Sequence, residues 1–347
     1  MDQLTLIAAL AIVLVLLFDC SNGFHDAANI IATVIASRAM TPMAAVLLVG
    51  IFEFLGPLLG GTAVANTIGS FIDLSGIDRV QAVKIVLAGV SGAIAWNLLT
   101  WWKGMPSSSS HALVGGLIGA VAASVGGSHV VWGMAELLHG RVHGVTKVLL
   151  ALLLSPVAGF VCGYVLQKIM IAVLYRASPR VNRHLRRAQY LTSIALAFSH
   201  GANDAQKSMG IITLVLMLAG WQGAFQVPLW VMLACSLALT LGVMSGGWRI
   251  VRTLGFAIYR VRPVHALDSQ LASALVILGS SMVGAPVSTT HVVTTSIMGI
   301  GAAERPRSVR WKKAEEIAWT WLITIPGAGI MAVSIGALFH ALIGLFH

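Results

Sequence analysis

Two short stretches of the chain carry side chains that can hold charge inside an apolar setting. Asp19, Asn22, Gly23, Asp26 and Asn29 fall within eleven residues flanked by apolar sequence, and Gly201, Asn203, Asp204 and Lys207 occupy a matching place 178 residues on. An ionisable group within a membrane span is expensive and faces a partner, a cavity or a pathway. Carboxylates and amide oxygens suit a hard cation or a proton relay. Gly23 and Gly201 are expected to let the backbone leave helical geometry and expose carbonyls as further ligands. Capping of an interfacial helix is the blander account. It weighs most for Asp19 and least for Asp26 and Asp204, which recur together.

A second pair of motifs suits an anion. Gly104-Met105-Pro106-Ser107-Ser108-Ser109-Ser110-His111 is echoed 180 residues later by Gly284-Ala285-Pro286-Val287-Ser288-Thr289-Thr290-His291. Proline and hydroxyl residues ahead of an apolar run mark a helix start. Free N–H groups ringed by hydroxyls at such a start form an anion site. Two of these ends facing each other would cradle a tetrahedral oxyanion from both sides; ordinary N-capping is the alternative. His111 and His291 are expected to bond nearby carbonyls and hold the turn. Glu53, a lone carboxylate in an apolar run, is a supporting candidate, as are Asn22 and Lys207.

Composition says what must position these motifs. Of 347 residues, 57% are hydrophobic and 10% charged, with a mean hydropathy of +0.88. A soluble globule carries about 25% charged residues, so this chain cannot clothe itself for water. Apolar runs at 43–65, 148–166, 227–243 and 314–343 are long enough for bilayer helices, and no ten-residue alternation suggests a barrel. The segment 4–18 lacks a basic flank and a cleavage site and reads as a retained helix. Cys20, Cys162 and Cys235 stand singly and read as packing residues. Trp101, Trp102, Trp230, Trp248, Trp311, Trp319 and Trp321 fit an interfacial belt, and Gly60-Gly61 and Gly246-Gly247 fit close helix contacts.

The net charge of +10 is concentrated: fifteen of the 22 basic residues lie in loops at 168–187, 249–262 and 304–313. The positive-inside rule places these loops in the cytoplasm and leaves nucleic-acid binding unneeded. The duplicated motifs divide the chain into repeats at 1–167 and 188–347, joined by a basic cytoplasmic linker at 168–187. The loops at 66–84 and 126–147 carry net charges of zero and +1, whereas their counterparts at 249–262 and 304–313 are strongly basic. Matching loops therefore fall on opposite sides, as in an inverted-topology repeat with its site at the midplane, and both termini are expected outside. The expected fold is an all-α polytopic membrane protein. Its two inverted-topology repeats have broken helices and re-entrant helical hairpins, with about 10–12 membrane segments.

At these residues the chain resembles the inorganic phosphate transporter (PiT) family, from Phe18-Asp19 through 23–33, 106–116, 199–212 and 286–290 to 321–326. The resemblance implies a cation-coupled phosphate symporter of the cell inner membrane, working by alternating access and often dimeric. It implies Asp26, Asn29 and Asp204, with neighbouring Asn203, as coupling-ion residues, and Asp26 and Asp204 as the Na+ or H+ ligands. Ser108, Ser109, Ser110, Ser288, Thr289 and Thr290 would bind phosphate. Two departures bear on the ion. Gln270 stands where many relatives have a carboxylate, and Lys207 stands where sodium-coupled members similar to the animal proteins have Asn. Proton coupling follows as the expectation over sodium, with a divalent metal–phosphate complex as a candidate substrate and no resident cofactor, resembling the low-affinity bacterial branch. A sulfate permease of the same family is the alternative. An anion channel or an intramembrane hydrolase is remote, since duplication of a Ser–His pair serves no hydrolase.

Overall fold

The computed structural model describes residues 2–105, 107–245 and 262–344. Pro106, Gly246-Gly247, Trp248 and the basic residues Arg249, Arg252 and Arg260 lie outside the described residues. The regular structure of the described residues is helical, and an isolated bridge between Ile72 and Val130 is the one β-type pairing among them. In order the helices are α1 (Gln3–Ala36), α2 (Pro42–Leu59), α3 (Ala63–Gly69), α4 (Arg79–Trp102), α5 (Ser109–Ser124), α6 (Met134–Leu138) and α7 (Gly144–Val173). They continue as α8 (Val181–Leu218), α9 (Leu229–Ser245), α10 (Pro263–Met282), α11 (Thr289–Glu304) and α12 (Trp311–Gly344). Five of them, α1, α2, α4, α7 and α12, are long and apolar enough to cross a membrane.

Helical periodicity sorts α1 into two faces. Leu6, Leu10, Val13 and Leu17 are exposed and repeat at three- and four-residue steps, which gives the first half of the helix an apolar side suited to lipid. Asn22, Asp26 and Asn29 repeat at the same steps and are buried. In α8 the steps recur as His200, Asp204 and Lys207, again buried. Both chemistry-bearing stretches thus lie mid-helix on an inward stripe.

The backbone does not break at Gly23 or Gly201, contrary to expectation, because both residues lie within continuous α-helix. Their role is contact. A Cβ on Gly23 would strike the Leu239 carbonyl of α9, and one on Gly201 the Glu53 carbonyl of α2. These glycines let α1 lie on α9 and α8 on α2 at backbone distance. The breaks fall instead at two hairpin tips. Lys103 is the C-cap of α4 and Val283 that of α10. Gly104 (φ +66°) and Gly284 (φ +65°) follow, supplying the left-handed turn that closes each helix. The bonds match one for one. Gly104 N donates to Trp101 O and Met105 N to Thr100 O, each at 2.9 Å, as Gly284 N does to Ser281 O (3.0 Å) and Ala285 N to Ser280 O (2.9 Å). Of the Gly60-Gly61 pair only Gly60 makes a close contact, against Ala202; Gly61 is a positive-φ turn with open space beside it.

Packing crosses between the halves. α5 is covered by α12 and α11 by α7, while α1 pairs with α9 and α8 with α2. One apolar core joins the first part of α1 to α4, α5, α9 and the C-terminal part of α8, and a second joins the later part of α1 to α2, α10 and α11. The expected 168–187 linker is shorter as a loop, since α7 continues to Val173 and α8 begins at Val181. Of its arginines, Arg183, Arg186 and Arg187 lie in the first turns of α8, for which Arg has a high propensity, while Arg176 and Arg180 stay in the connection. The loops expected at 66–84 and 126–147 likewise contain α3's end, α6 and the start of α7.

Candidate coupling-ion and anion site

The inward stripes of α1 and α8 meet at their carboxylates. His200 Nε2 lies 3.8 Å from Asp26 Oδ2 and 3.6 Å from Asp204 Oδ2, and ligand atoms of the three residues all fall within 4.8 Å of one another. Glu53 of α2 holds the other ring nitrogen, Nδ1. From the opposite helix Asn22 Nδ2 donates to Asp204 Oδ2 at 3.2 Å, and on α1 itself His25 Nδ1 lies 3.2 Å from Asp26 Oδ1. The Lys207 ammonium is fully engaged. It donates to Asp204 Oδ1 (2.8 Å), Ser110 Oγ (2.6 Å) and Val287 O (3.1 Å). Asp19, one turn before Asn22, accepts from Ser208 Oγ at 2.6 Å. All of these groups are buried, so the cluster cannot rely on water to spread its charge.

Both hairpin tips reach into this cluster. The helices α5 and α11 start at Ser109 and Thr289, with Ser108 and Ser288 as N-caps whose Oγ atoms accept from His111 N (3.2 Å) and His291 N (3.3 Å). Two of the six expected phosphate hydroxyls are therefore spent on their own helix. Three of the others face the carboxylates, and the fourth, Ser110, bonds Val287 O and Lys207 instead. Thr290 Oγ1 donates to Asp26 Oδ1 at 2.9 Å, and Thr289 Oγ1 lies 3.3 Å from Asp26 Oδ2 and 3.5 Å from Asp204 Oδ2. Ser109 Oγ is 3.5 Å from Asp26 Oδ2, and Ser110 Oγ donates to Val287 O at 3.1 Å. Asn29 Nδ2 joins them by donating to Thr290 Oγ1 at 2.9 Å.

Three placements differ from expectation. Asn203, grouped with the ion residues by sequence, ties down the second hairpin tip: Nδ2 donates to Ser281 Oγ at 2.8 Å and Oδ1 accepts from Val287 N at 3.3 Å. His111 and His291 do not hold the turn through carbonyls. His111 Nδ1 lies 2.8 Å from Ser108 Oγ, and His291 stacks on Trp321 (3.7 Å) and lies 4.6 Å from the His111 ring. Gln270 bridges α8 and α1 through Thr192 and Thr33 rather than facing the carboxylates. Sequence reading also missed His25 and His200. His200 sits one residue ahead of the second Gly-Ala-Asn-Asp motif, where its counterpart in the first is Asn22. That mismatch was the only signal for it.

The donor set fits a hard cation on the α1 side. Asn22 Oδ1, Asn29 Oδ1 and Asp19 Oδ2 are buried oxygens without a hydrogen-bond partner among the described residues, and they flank Asp26 along one helix. On α8 the matching places hold an imidazole and an ammonium.

Residues 22–332 match the phosphate transporter family, PHO4. The chain belongs to the phosphate transporter family. It is similar to a probable low-affinity inorganic phosphate transporter of Bacillus subtilis, 38% identical over 99% of both chains. A protein of the same description from Rhizobium meliloti is 40% identical over 92% of this chain and 93% of its own. In fold the chain is similar to a solved structure titled "The sodium-dependent phosphate transporter". The TM-score is 0.86 with 23% identity, covering 96% of this chain and 99% of that one. Family membership makes the chain a transporter rather than an enzyme, with phosphate as the family's substrate, and its apolar helices make it a multi-pass membrane protein.

Proposed function

We propose that the protein is a secondary active symporter that carries inorganic phosphate across the cytoplasmic membrane by alternating access, coupled to protons rather than sodium. The observation that carries this reading is Lys207 Nζ, 2.8 Å from Asp204 and in the place that Asn29 occupies on α1. A fixed ammonium supplies the positive charge that a second bound cation would otherwise bring to Asp204. His200, between Asp26 and Asp204 and held by Glu53, is a group that can take up and release a proton at that point.

Coupling follows from charge. Phosphate brought to the hairpin tips meets Asp26 and Asp204 in a buried setting where like charges repel strongly. A proton or cation on the α1 side removes part of that repulsion. It also takes the lone pairs that now hold Ser109, Thr289 and Thr290, so those hydroxyls turn to the anion beside the first N–H groups of α5 and α11. Phosphate near neutral pH keeps an O–H that a remaining carboxylate accepts, which sulfate lacks.

Uptake into proteoliposomes tests the reading. A proton gradient alone should drive accumulation of radiolabelled phosphate, and excess sulfate should not compete. Accumulation driven by a sodium gradient with no proton gradient would overturn proton coupling. Measuring uptake with and without magnesium separates bare phosphate from a metal–phosphate complex as the transported form.

A further inference from the structure

Lys147, in the first turn of α7, is a half-buried ammonium away from the central carboxylates. Among the described residues it enters no ion pair. Its Nζ donates to Thr67 Oγ1 at 3.2 Å, and that hydroxyl donates to Gly284 O at 2.7 Å. A lysine near an interface usually extends toward water along its own stem. This one turns inward onto a hairpin tip, and a Cβ on Gly284 would come within 3.3 Å of Nζ.

The ammonium borders a cavity of about 380 Å³ that is also lined by Asn66, Ser70 and His143. All three are exposed, so the cavity opens outward. It lies between the 66–84 and 126–147 segments, whose low charge marks the outer face. Gly284 is three residues from Val287, whose carbonyl accepts from Lys207 and Ser110 in the central site. The cavity therefore adjoins the hairpin that closes over the carboxylates.

We propose that Lys147, with Asn66, Ser70 and His143, forms a second oxyanion site at which phosphate docks at the mouth of the transporter before reaching the central carboxylates. The inference rests on the symport reading. Its chemistry is simple: an unpaired ammonium and neutral donors accept a phosphate group without the adjacent carboxylates that repel one at Asp26 and Asp204. A docked phosphate competes with Thr67 for the ammonium and so loosens the Lys147–Thr67–Gly284 chain that ties α3 to the tip.

The test is protection of the Lys147 amine from a membrane-impermeant acylating reagent, read by peptide mass spectrometry on the purified full-length protein. It is run in wild type and in Asp26→Asn, with inorganic phosphate or chloride at equal ionic strength. Protection by phosphate in both proteins supports the site. Protection that chloride matches, or that disappears in Asp26→Asn, overturns it, since the first is screening and the second reports the central site. A lipid headgroup offers the same phosphate chemistry, so the assay is repeated with a short-chain phosphatidate. Protection by that lipid alone also overturns the proposal. In vesicles, Lys147→Gln should raise the KM for phosphate about ten-fold, the size of one lost charged hydrogen bond, with the maximal rate within about two-fold of wild type. Lys147→Arg should recover most of the loss. An unchanged KM in Lys147→Gln would overturn the site even if labelling were ambiguous. Should wild type take up no phosphate at all, the symport reading falls, while the protection result still decides whether the cavity binds it.

Discussion

α1 and α8 run through the centre of the protein with the same stripe of polar positions, yet they are filled with different charge. On α1 the positions are Asn22, Asp26 and Asn29; on α8 they are His200, Asp204 and Lys207. The first set leaves buried amide oxygens without donors, and the second supplies its own cation and an imidazole. Glu53 sharpens the contrast. Through the paired glycine contacts it stands on α2 where α9 has Leu239, so the Glu53 carboxylate has no counterpart at the matching contact of α1. The two stripes thus share their spacing and differ in charge: under the proposed function, α1 is the place for a mobile cation, and α8 carries a permanent one in Lys207.

Removing the shared element tests whether both sides are needed. Asp26→Asn and Asp204→Asn should each abolish proton-driven uptake while the protein still reaches the membrane, as measured by vesicle transport and immunoblot. Near-normal uptake in both would undo the assignment. The comparison itself is broken by Lys207→Asn, which makes α8 match α1 at the Asn29 position. Leaving Asp204 buried without its partner should destabilise the protein by roughly 3–5 kcal/mol. The measurement is the thermal unfolding midpoint in detergent, and sodium should restore part of the loss if the ammonium stands in for a cation. No response to sodium would count against that substitution argument.

Smaller effects probe the scaffold. Gly23→Ala and Gly201→Ala should each cost about 1–3 kcal/mol by forcing the helix pairs apart, again read from thermal midpoints. If the glycines served only as backbone ligands, stability would hold and uptake alone would fall. Asn203→Ala should have the least effect, about 1–2 kcal/mol for the bonds lost at the second hairpin tip. Its signature would be faster proteolysis around 284–287 with the α1 side unaffected.

Much of this was legible before any coordinates. Glycine, proline and hydroxyl residues at matched spacing placed both hairpin tips, because those residue types have few alternative uses beside an apolar helix. Asp26 and Asp204 were marked because a carboxylate in an apolar run has a cost that only a partner or a site offsets. Gly23 and Gly201 were misread because a glycine in sequence carries the same letter whether it bends a backbone or admits a neighbour. Asn203 was misplaced for a related reason. It adjoins Asp204 in the chain, but consecutive helical residues point about 100° apart, and only Asp204 faces α1.

The sequence by itself determined that the protein is an all-helical membrane transporter in which each motif occurs twice. Composition and motif order are properties of the chain alone, and they leave few folds open. Tertiary structure decided the rest: which hydroxyls cap their own helix and which face a carboxylate, that His200 bridges Asp26 and Asp204 under Glu53, and that Lys147 turns onto Gly284. Apart from the capping bonds and the His200–Asp204 pair within α8, these contacts join residues on different elements of the fold. No local pattern specifies them, because they are fixed by how whole helices pack.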